Sequence, residues 1–353
     1  MTSRERILAA LRHQEADRVA IHDSLWKTTI RRWVDEGLPE KEDPTVFFNY
    51  EIVKFGGDIT FRFPEEILEE TDEYTVVRDP AGAVVKNWKN RTSTPEKHDF
   101  LITSKAIWDR YKDRLIWDRS RINTTDQLEQ NRRATQAGKC VNYSAGIGYD
   151  YVQGVVGTER LLIAMIEEPD WCREMFETFT DLTIKNCQAM LEAGYHFDSA
   201  FLYDDNGYRN GLLFSNRVYR ATLFDTHKRL CDYCHSQNMP VILHSCGNVT
   251  ERIELFIEAG FDCLQPIEVK AGMDLIALKR NYGDRLAFMG GIDARKMSHP
   301  DPAVIEEEIR TKFKAAMPGG GYVYHSDHSV PDDVSFEQYQ HVIKLVRKYG
   351  EYR

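Results

Sequence analysis

Pro240-Val241-Ile242-Leu243-His244-Ser245-Cys246-Gly247 decides how this chain is read: an apolar run of strand character delivers an imidazole and a thiol straight into a turn. Side chains two apart on a strand point to the same side, so His244 and Cys246 can converge on one point. An imidazole and a thiolate at one point suit Zn²⁺. Where such a strand belongs to a barrel, its C-terminal end is the end that carries chemistry.

Runs of the same kind lie on both sides. Downstream come DCLQPIE (262–268), LAFMGGID (286–293) and YVYHSDH (322–328); upstream lie DSAFLYDD (198–205), CVNYSAG (140–146), DITFRF (58–63) and VAIH (19–22). Helical patterns separate them. Residues 169–192 carry Trp171, Met175, Phe176, Phe179, Leu182 and Met190 near 3.6-residue spacing and stop at Gly194, and a second helix is predicted over 301–316. Eight strands alternating with helices predict an α/β chain folded as a (β/α)₈ (TIM) barrel rather than a doubly wound sheet. Residues 64–139 exceed a minimal barrel. There, YTVVRD and AVVKNWK flank the turn Asp79-Pro80-Ala81-Gly82 and predict an inserted β-hairpin, with a charged helix at IWDRYKDRLIWD after it. With no linker or repeat in view, residues 1–353 are expected to form one elaborated domain.

Composition narrows the function. The 353 residues are 42% hydrophobic and 29% charged, a globular balance, and 46 Lys+Arg against 56 Asp+Glu give a formal charge of −10. An acidic chain argues against general nucleic-acid or electrostatic membrane binding. Its seven cysteines are odd in number and scattered, unlike a secreted disulfide framework, and MTSRERILAALRHQEADR reads as a charged amphipathic helix rather than a signal peptide. A cytoplasmic location is therefore expected.

Further candidates sit at the other strand ends. Glu268 and His328 close their runs, so His244, Cys246, Glu268 and His328 could form a four-coordinate zinc site, or three ligands with an open position. The same residues also fit a structural account in which the histidines hydrogen-bond in the mouth and Cys246 packs. His325 and Asp327 compete for the last place, because 325 and 328 fall on opposite strand phases unless a turn starts at Ser326. Asp204, Asp205 and Asp293 are candidate acid–base groups, and equally candidate helix caps. Asp23, Trp26, Tyr143 and Tyr203 are candidate substrate contacts. Cys231-Asp232-Tyr233-Cys234-His235 spells a haem-attachment pattern, but it lies late in a predicted helix and is expected to pack; PEEILEETDE is expected to be a solvated face.

ERILAALRHQEADRVAIH, FLYDDNGY, VILHSCGNV, LAFMGGID and YHSDHSVPDDVSFEQY together, in this order and over nearly the whole chain, resemble the uroporphyrinogen decarboxylase superfamily. That resemblance implies a (β/α)₈ barrel with a pocket at its C-terminal mouth, and one of two activities: decarboxylation of a tetrapyrrole, or cobalamin-dependent methyl transfer. The decarboxylase's Arg-Gln-Ala-Gly-Arg segment is absent, its place taken by HDSLWKTTIRRWVDEG. The methyltransferase branch's zinc pattern, His-x-Cys and later Cys before Ser-x-Pro, is matched by His244 and Cys246. It is then altered at His328-Ser329-Val330-Pro331, where His replaces Cys. Glu268 stands at the spacing of a zinc-ligating Glu in cobalamin-independent methionine synthases. One thiolate instead of two implies a more Lewis-acidic zinc, suited to a methyl ether. The resemblance thus implies a zinc-dependent methyltransferase that demethylates a methoxylated or methylated small molecule, or moves methyl between a corrinoid protein and an acceptor. The corrinoid would come from a partner, since no D-x-H-x-x-G motif is present. No nucleic-acid or membrane partner is expected, and a homodimer is left open. Alternatives are a uroporphyrinogen decarboxylase-type lyase and a non-catalytic corrinoid or tetrapyrrole binder.

Overall fold

Seven of the eight apolar runs become strands of one parallel sheet, and the eighth place is filled by a run that the sequence disguises. A computed structural model describes residues 1–90 and 94–352. Its barrel strands are β1 (Ala20–Ile21), β2 (Ile52–Phe55), β3 (Cys140–Gly146), β4 (Ser199–Tyr203), β5 (Val241–His244), β6 (Cys263–Gln265), β7 (Ala287–Met289) and β8 (Tyr322–Tyr324). They are hydrogen-bonded in the order β1-β8-β7-β6-β5-β4-β3-β2, every pair parallel. The fold is a (β/α)₈ barrel wrapped by helices.

The predicted strand at 58–63 is a correction. Ile59 and Phe61 are buried as expected, but in a non-strand segment, and β2 lies at 52–55. Glu51 and Lys54 hide it, because both are charged, one buried and one half-buried, and both find their partners far away in sequence. At the seam between β1 and β2 the Glu51 amide donates to the Ile21 carbonyl (3.0 Å), and the Glu51 carboxylate accepts from the Ile21 amide (2.6 Å), Arg6 (2.7 Å) and Arg18 (2.9 Å). A wholly buried carboxylate is tolerable only with partners of this kind.

The N-terminal helix, Ser3–Leu11, starts with a capping box in which Thr2 and Glu5 exchange bonds. It plugs the bottom of the barrel, where Ile7, Ala10 and Leu11 meet Ile52, Phe201 and Ile242. Above this apolar layer, the inward position two residues on is polar on five adjacent strands: Lys54 after Ile52, Asn142 after Cys140, Tyr203 after Phe201, His244 after Ile242 and Gln265 after Cys263. Strand alternation alone thus floors a polar mouth with a dry core.

The insertion holds a four-stranded antiparallel sheet, in the order 66–70, 74–78, 83–88, 96–100. The expected hairpin forms its centre, with Asp79 accepting from the amides of Ala81 and Ala83 (both 2.9 Å). Part of the acidic stretch expected as a solvated face is its exposed edge strand, Glu66–Glu70. Helix Pro169–Glu192 spans its predicted residues, whereas the helix predicted through Cys231 is broken at Leu223 into Asn216–Thr222 and Phe224–Ser236. Among the described residues, no helix is long and apolar enough to cross a membrane.

Candidate functional site

The polar mouth draws three potential ligands together. Asp205, just beyond β4, and His244 and Cys246, at and just beyond β5, place a carboxylate oxygen, a ring nitrogen and a sulfur all within 4.8 Å of one another. His244 Nε2 lies 3.4 Å from Cys246 Sγ and 3.5 Å from an Asp205 oxygen. The Cys246 amide donates to that carboxylate at 2.7 Å, which ties the two strand ends into one rim. Gly247 then turns the chain at φ 81°, its Cα pressed against the backbone of Gly207 and Tyr208, where a side chain would collide.

A layer behind the cluster fixes the imidazole. His244 Nδ1 donates to Gln265 Oε1 on β6, the Gln265 amide donates to His325 Nε2 (3.3 Å), and His325 Nδ1 donates to the Ser326 carbonyl (2.6 Å). Each bond sets the role of the next, so His244 is left with its Nε2 lone pair facing Cys246 and Asp205. This is the arrangement by which an outer partner selects the tautomer and heading of a metal-binding histidine. With both nitrogens engaged, His325 acts on the site through Gln265.

Electrostatics at the cluster favour a cation. Burial, then Lys54, outweigh the Gln265 bond and bring the His244 ring down to about 3, so it stays neutral with its lone pair available. Burial, then Asp150, push the Asp205 carboxyl up to about 7, and Asp204 and Glu268 add to the rise. Burial, then Asp205 and Glu268, push the Cys246 thiol well up. Two acids held toward their protonated forms beside a neutral imidazole would both be relieved by one divalent ion. The mixed N, S, O donor set suits zinc better than magnesium or calcium.

Glu268 stands just outside this group. One of its oxygens accepts from the Gly247 amide (2.6 Å) and the other lies 3.4 Å from Lys270. His328 is further round the rim, its ring stacked on Trp26 at 6.0 Å. Because β8 ends at Tyr324, strand phase cannot be counted out to residue 328.

The family model for uroporphyrinogen decarboxylase (URO-D) matches residues 151–349, which hold all of these side chains except Trp26, Lys54 and Asp150. The chain belongs to the URO-D family. Similar proteins include the uroporphyrinogen decarboxylase of Pectobacterium atrosepticum, 26% identical over 174 residues, 48% of this chain and 46% of that one. The methylcobamide:CoM methyltransferase of Methanosarcina barkeri is 28% identical over 207 residues, 55% of this chain and 58% of that one. The matches thus span about half the length of these curated relatives. A solved structure of a methyltransferase from Methanosarcina mazei superposes with a TM-score of 0.66 over 99% of both chains at 17% identity, a likeness of fold.

In this URO-D family member the remaining candidate residues divide between mouth and scaffold. Asp204, expected to share the rim with Asp205, is wholly buried towards the helices. It accepts from the Asp150 amide (2.7 Å) and Asn206 (2.6 Å) and lies 3.0 Å from His227 Nε2. Asp293 caps the helix Ala294–Met297 and holds the Arg295 guanidinium through two bonds (2.9 and 2.8 Å). Tyr143, expected at the substrate, instead donates to the Thr183 carbonyl of the long helix (2.7 Å), on the outer face of β3. Asp23 is buried beneath the rim, accepting from Ser326 (2.5 Å), Tyr339 (2.9 Å) and Tyr324 (3.2 Å). Tyr203 is in the mouth, its ring 5.0 Å from that of His244. Cys231 and Cys234 pack in the core, as expected of them.

Two residues escaped the sequence reading. Gln265 lies within a predicted strand, and its signal is a polar side chain at an inward position one strand from His244. Lys54 lay outside the predicted second strand; its amine donates to the Tyr203 hydroxyl (3.0 Å) and sits 3.9 Å above the Phe201 ring. Beside Asp205 a cleft of about 850 Å³ opens between the inserted sheet and helix Gly148–Val156, with Pro80, Lys97, Asp150 and Tyr151 in its walls.

Proposed function

We propose that this protein is a zinc-dependent, corrinoid-linked methyltransferase whose small-molecule substrate reacts at the barrel mouth. The convergence of Asp205, His244 and Cys246, with Gln265 holding His244 in the tautomer that presents Nε2, carries the proposal. His244 and Cys246 would hold the ion, with Asp205 or Glu268 as the oxygen ligand and a further position left open to substrate or to His328. Bound there, zinc would supply Lewis acidity to the heteroatom that loses or gains the methyl group, and a partner protein's corrinoid the cobalt that exchanges it.

The chain's own side chains do the rest. Gln265 and His325 keep the imidazole aimed, so binding needs no rearrangement of the ring. Where Glu268 supplies the oxygen ligand, Asp205 is left free to hold or release a proton beside the substrate heteroatom. Glu268 grips the Gly247 amide and so fixes the loop that carries Cys246. The Tyr203 ring forms the inner wall. The methyltransferase among the relatives supports this reading. So does the stretch after β1, where Arg32 is tied at the surface to Glu36 (2.6 Å) and the Asp332 carbonyl (2.7 Å). That leaves it in ion pairing rather than available to a polycarboxylate substrate.

The test is conversion of free cob(I)alamin to methylcobalamin by the purified protein with a panel of methoxylated and methylated small acids and amines, followed by absorbance. Turnover with at least one donor, lost in His244→Ala and Cys246→Ser, is expected. Release of CO₂ from uroporphyrinogen by metal-free protein would overturn it in favour of the lyase.

A further inference from the structure

Lys54 is not one of the candidate ligands described above, yet it projects into the mouth beside them. It projects inward from β2, two residues above Ile52 of the dry core, and is half-buried, so it is reachable from the mouth. Among the described residues no carboxylate lies within ion-pair distance of its amine; its one hydrogen-bond partner is the Tyr203 hydroxyl. Burial, with the Lys54 charge adding to it, holds three surrounding rings, His22, His244 and His325, toward their neutral forms, so they offer it no counter-charge. Burial brings the amine itself down to about 8, which still leaves it charged at neutral pH.

Two further polar groups in the same layer lack partners. Asn142, level with Lys54 in the β2–β3 register, uses its oxygen to accept from Ser199 (2.9 Å), while its buried Nδ2 donates to nothing described. His22, wholly enclosed above β1, leaves Nδ1 unpaired. Buried polar groups are almost always satisfied, and two orphans beside a lone ammonium mark a place built for acceptor atoms. The Tyr203 hydroxyl, having accepted from Lys54, keeps its own proton to donate. The Tyr203 ring supplies a flat apolar wall, and Phe201 lies beneath the amine as floor.

We propose that Lys54 and the Tyr203 hydroxyl bind the carboxylate of a small organic acid, so that the molecule handled at the Asp205–His244–Cys246 cluster is an organic anion. This rests on the methyl-transfer reading for the chemistry, but not for the binding. The Tyr203 side chain bridges the two subsites, one end against Lys54 and its ring against His244, so a molecule of about one ring would reach both.

Calorimetric titration with benzoate and with the neutral, isosteric benzamide tests it at pH 7 on the full chain. Benzoate is expected to bind about tenfold or more tightly than benzamide, a contrast lost in Lys54→Met and partly kept in Lys54→Arg. Zinc content, measured on the same samples, is expected to be unchanged by either substitution. Equal binding of the two probes, no binding of either, or a benzoate preference that survives Lys54→Met would each overturn the proposal. Should Lys54→Met fail to fold by circular dichroism, Lys54→Gln takes its place, and the contrast in the unaltered protein decides by itself. A protein that prefers benzoate through Lys54 but holds no zinc would keep this subsite and remove the methyl-transfer reading, so the two fail separately.

Discussion

The two ends of the barrel treat buried charge in opposite ways. At the N-terminal seam, Glu51 is wholly buried, and its two oxygens are met by two guanidinium groups and a backbone amide. At the C-terminal mouth, burial and neighbouring acids hold the Asp205 carboxyl and the Cys246 thiol toward their protonated forms, Lys54 has no counter-ion among the described residues, and Asn142 and His22 each leave a buried nitrogen unused. Both ends are made by the same strands. The difference teaches that this barrel keeps its folding free energy at one end and leaves the other unfinished, as an end that awaits ligands must be.

Removing a charge should therefore have opposite signs at the two ends. Glu51→Ala strips the seam of its acceptor and leaves Arg6 and Arg18 facing each other; a loss of about 3–5 kcal/mol in urea unfolding is expected. A loss below about 1 kcal/mol would mean the seam is held by packing alone. Asp205→Asn, in protein freed of metal with a chelator, should cost nothing and gain about 1 kcal/mol, since burial and the neighbouring acids oppose that charge. Destabilisation as large as at Glu51 would erase the contrast. The smallest effect tests the N-terminal end through pH. His235 Nε2 sits 2.7 Å from Asp262, and this bond raises the ring above its ordinary value. A histidine raised on folding contributes stability below its unfolded pKa of about 6.5 and loses it as pH climbs through the folded value. Both groups are partly exposed, so His235→Gln should cost a few tenths of a kcal/mol at pH 5.5 and nothing by pH 9. A cost that grows with pH would contradict the assignment.

Much of the barrel was legible because parallel strands buried on both faces are apolar without interruption. β3 begins and ends where CVNYSAG does, and the 24 residues of the long helix follow its periodicity. The second strand was not legible, because Lys54 within it and Glu51 just before it are charged, and are satisfied or left open by tertiary neighbours that no local pattern announces. At the site, the His-x-Cys pair was readable from strand alternation, which holds as far as a strand and its first turn extend. Beyond that distance it failed. Asp204 and Asp205, adjacent and chemically equal in sequence, are sent to opposite sides of the rim by the loop after β4. The last ligand could not be counted along YVYHSDH, because β8 ends four residues before His328. The role of Gln265 depends on a hydrogen bond across strands, which spacing within one strand cannot reveal.

Zinc stoichiometry by elemental analysis, measured on the unaltered protein beside Cys246→Ser, His244→Ala and Gln265→Leu, tests the central claim most directly. One zinc per chain is expected in the unaltered protein, with less than about a tenth of it left after either ligand substitution and weakened retention against a chelator in Gln265→Leu, in line with the 10–100-fold cost typical of losing an outer partner. Zinc held undiminished without both the His244 ring and the Cys246 sulfur, or no affinity for zinc in the unaltered protein, would contradict it.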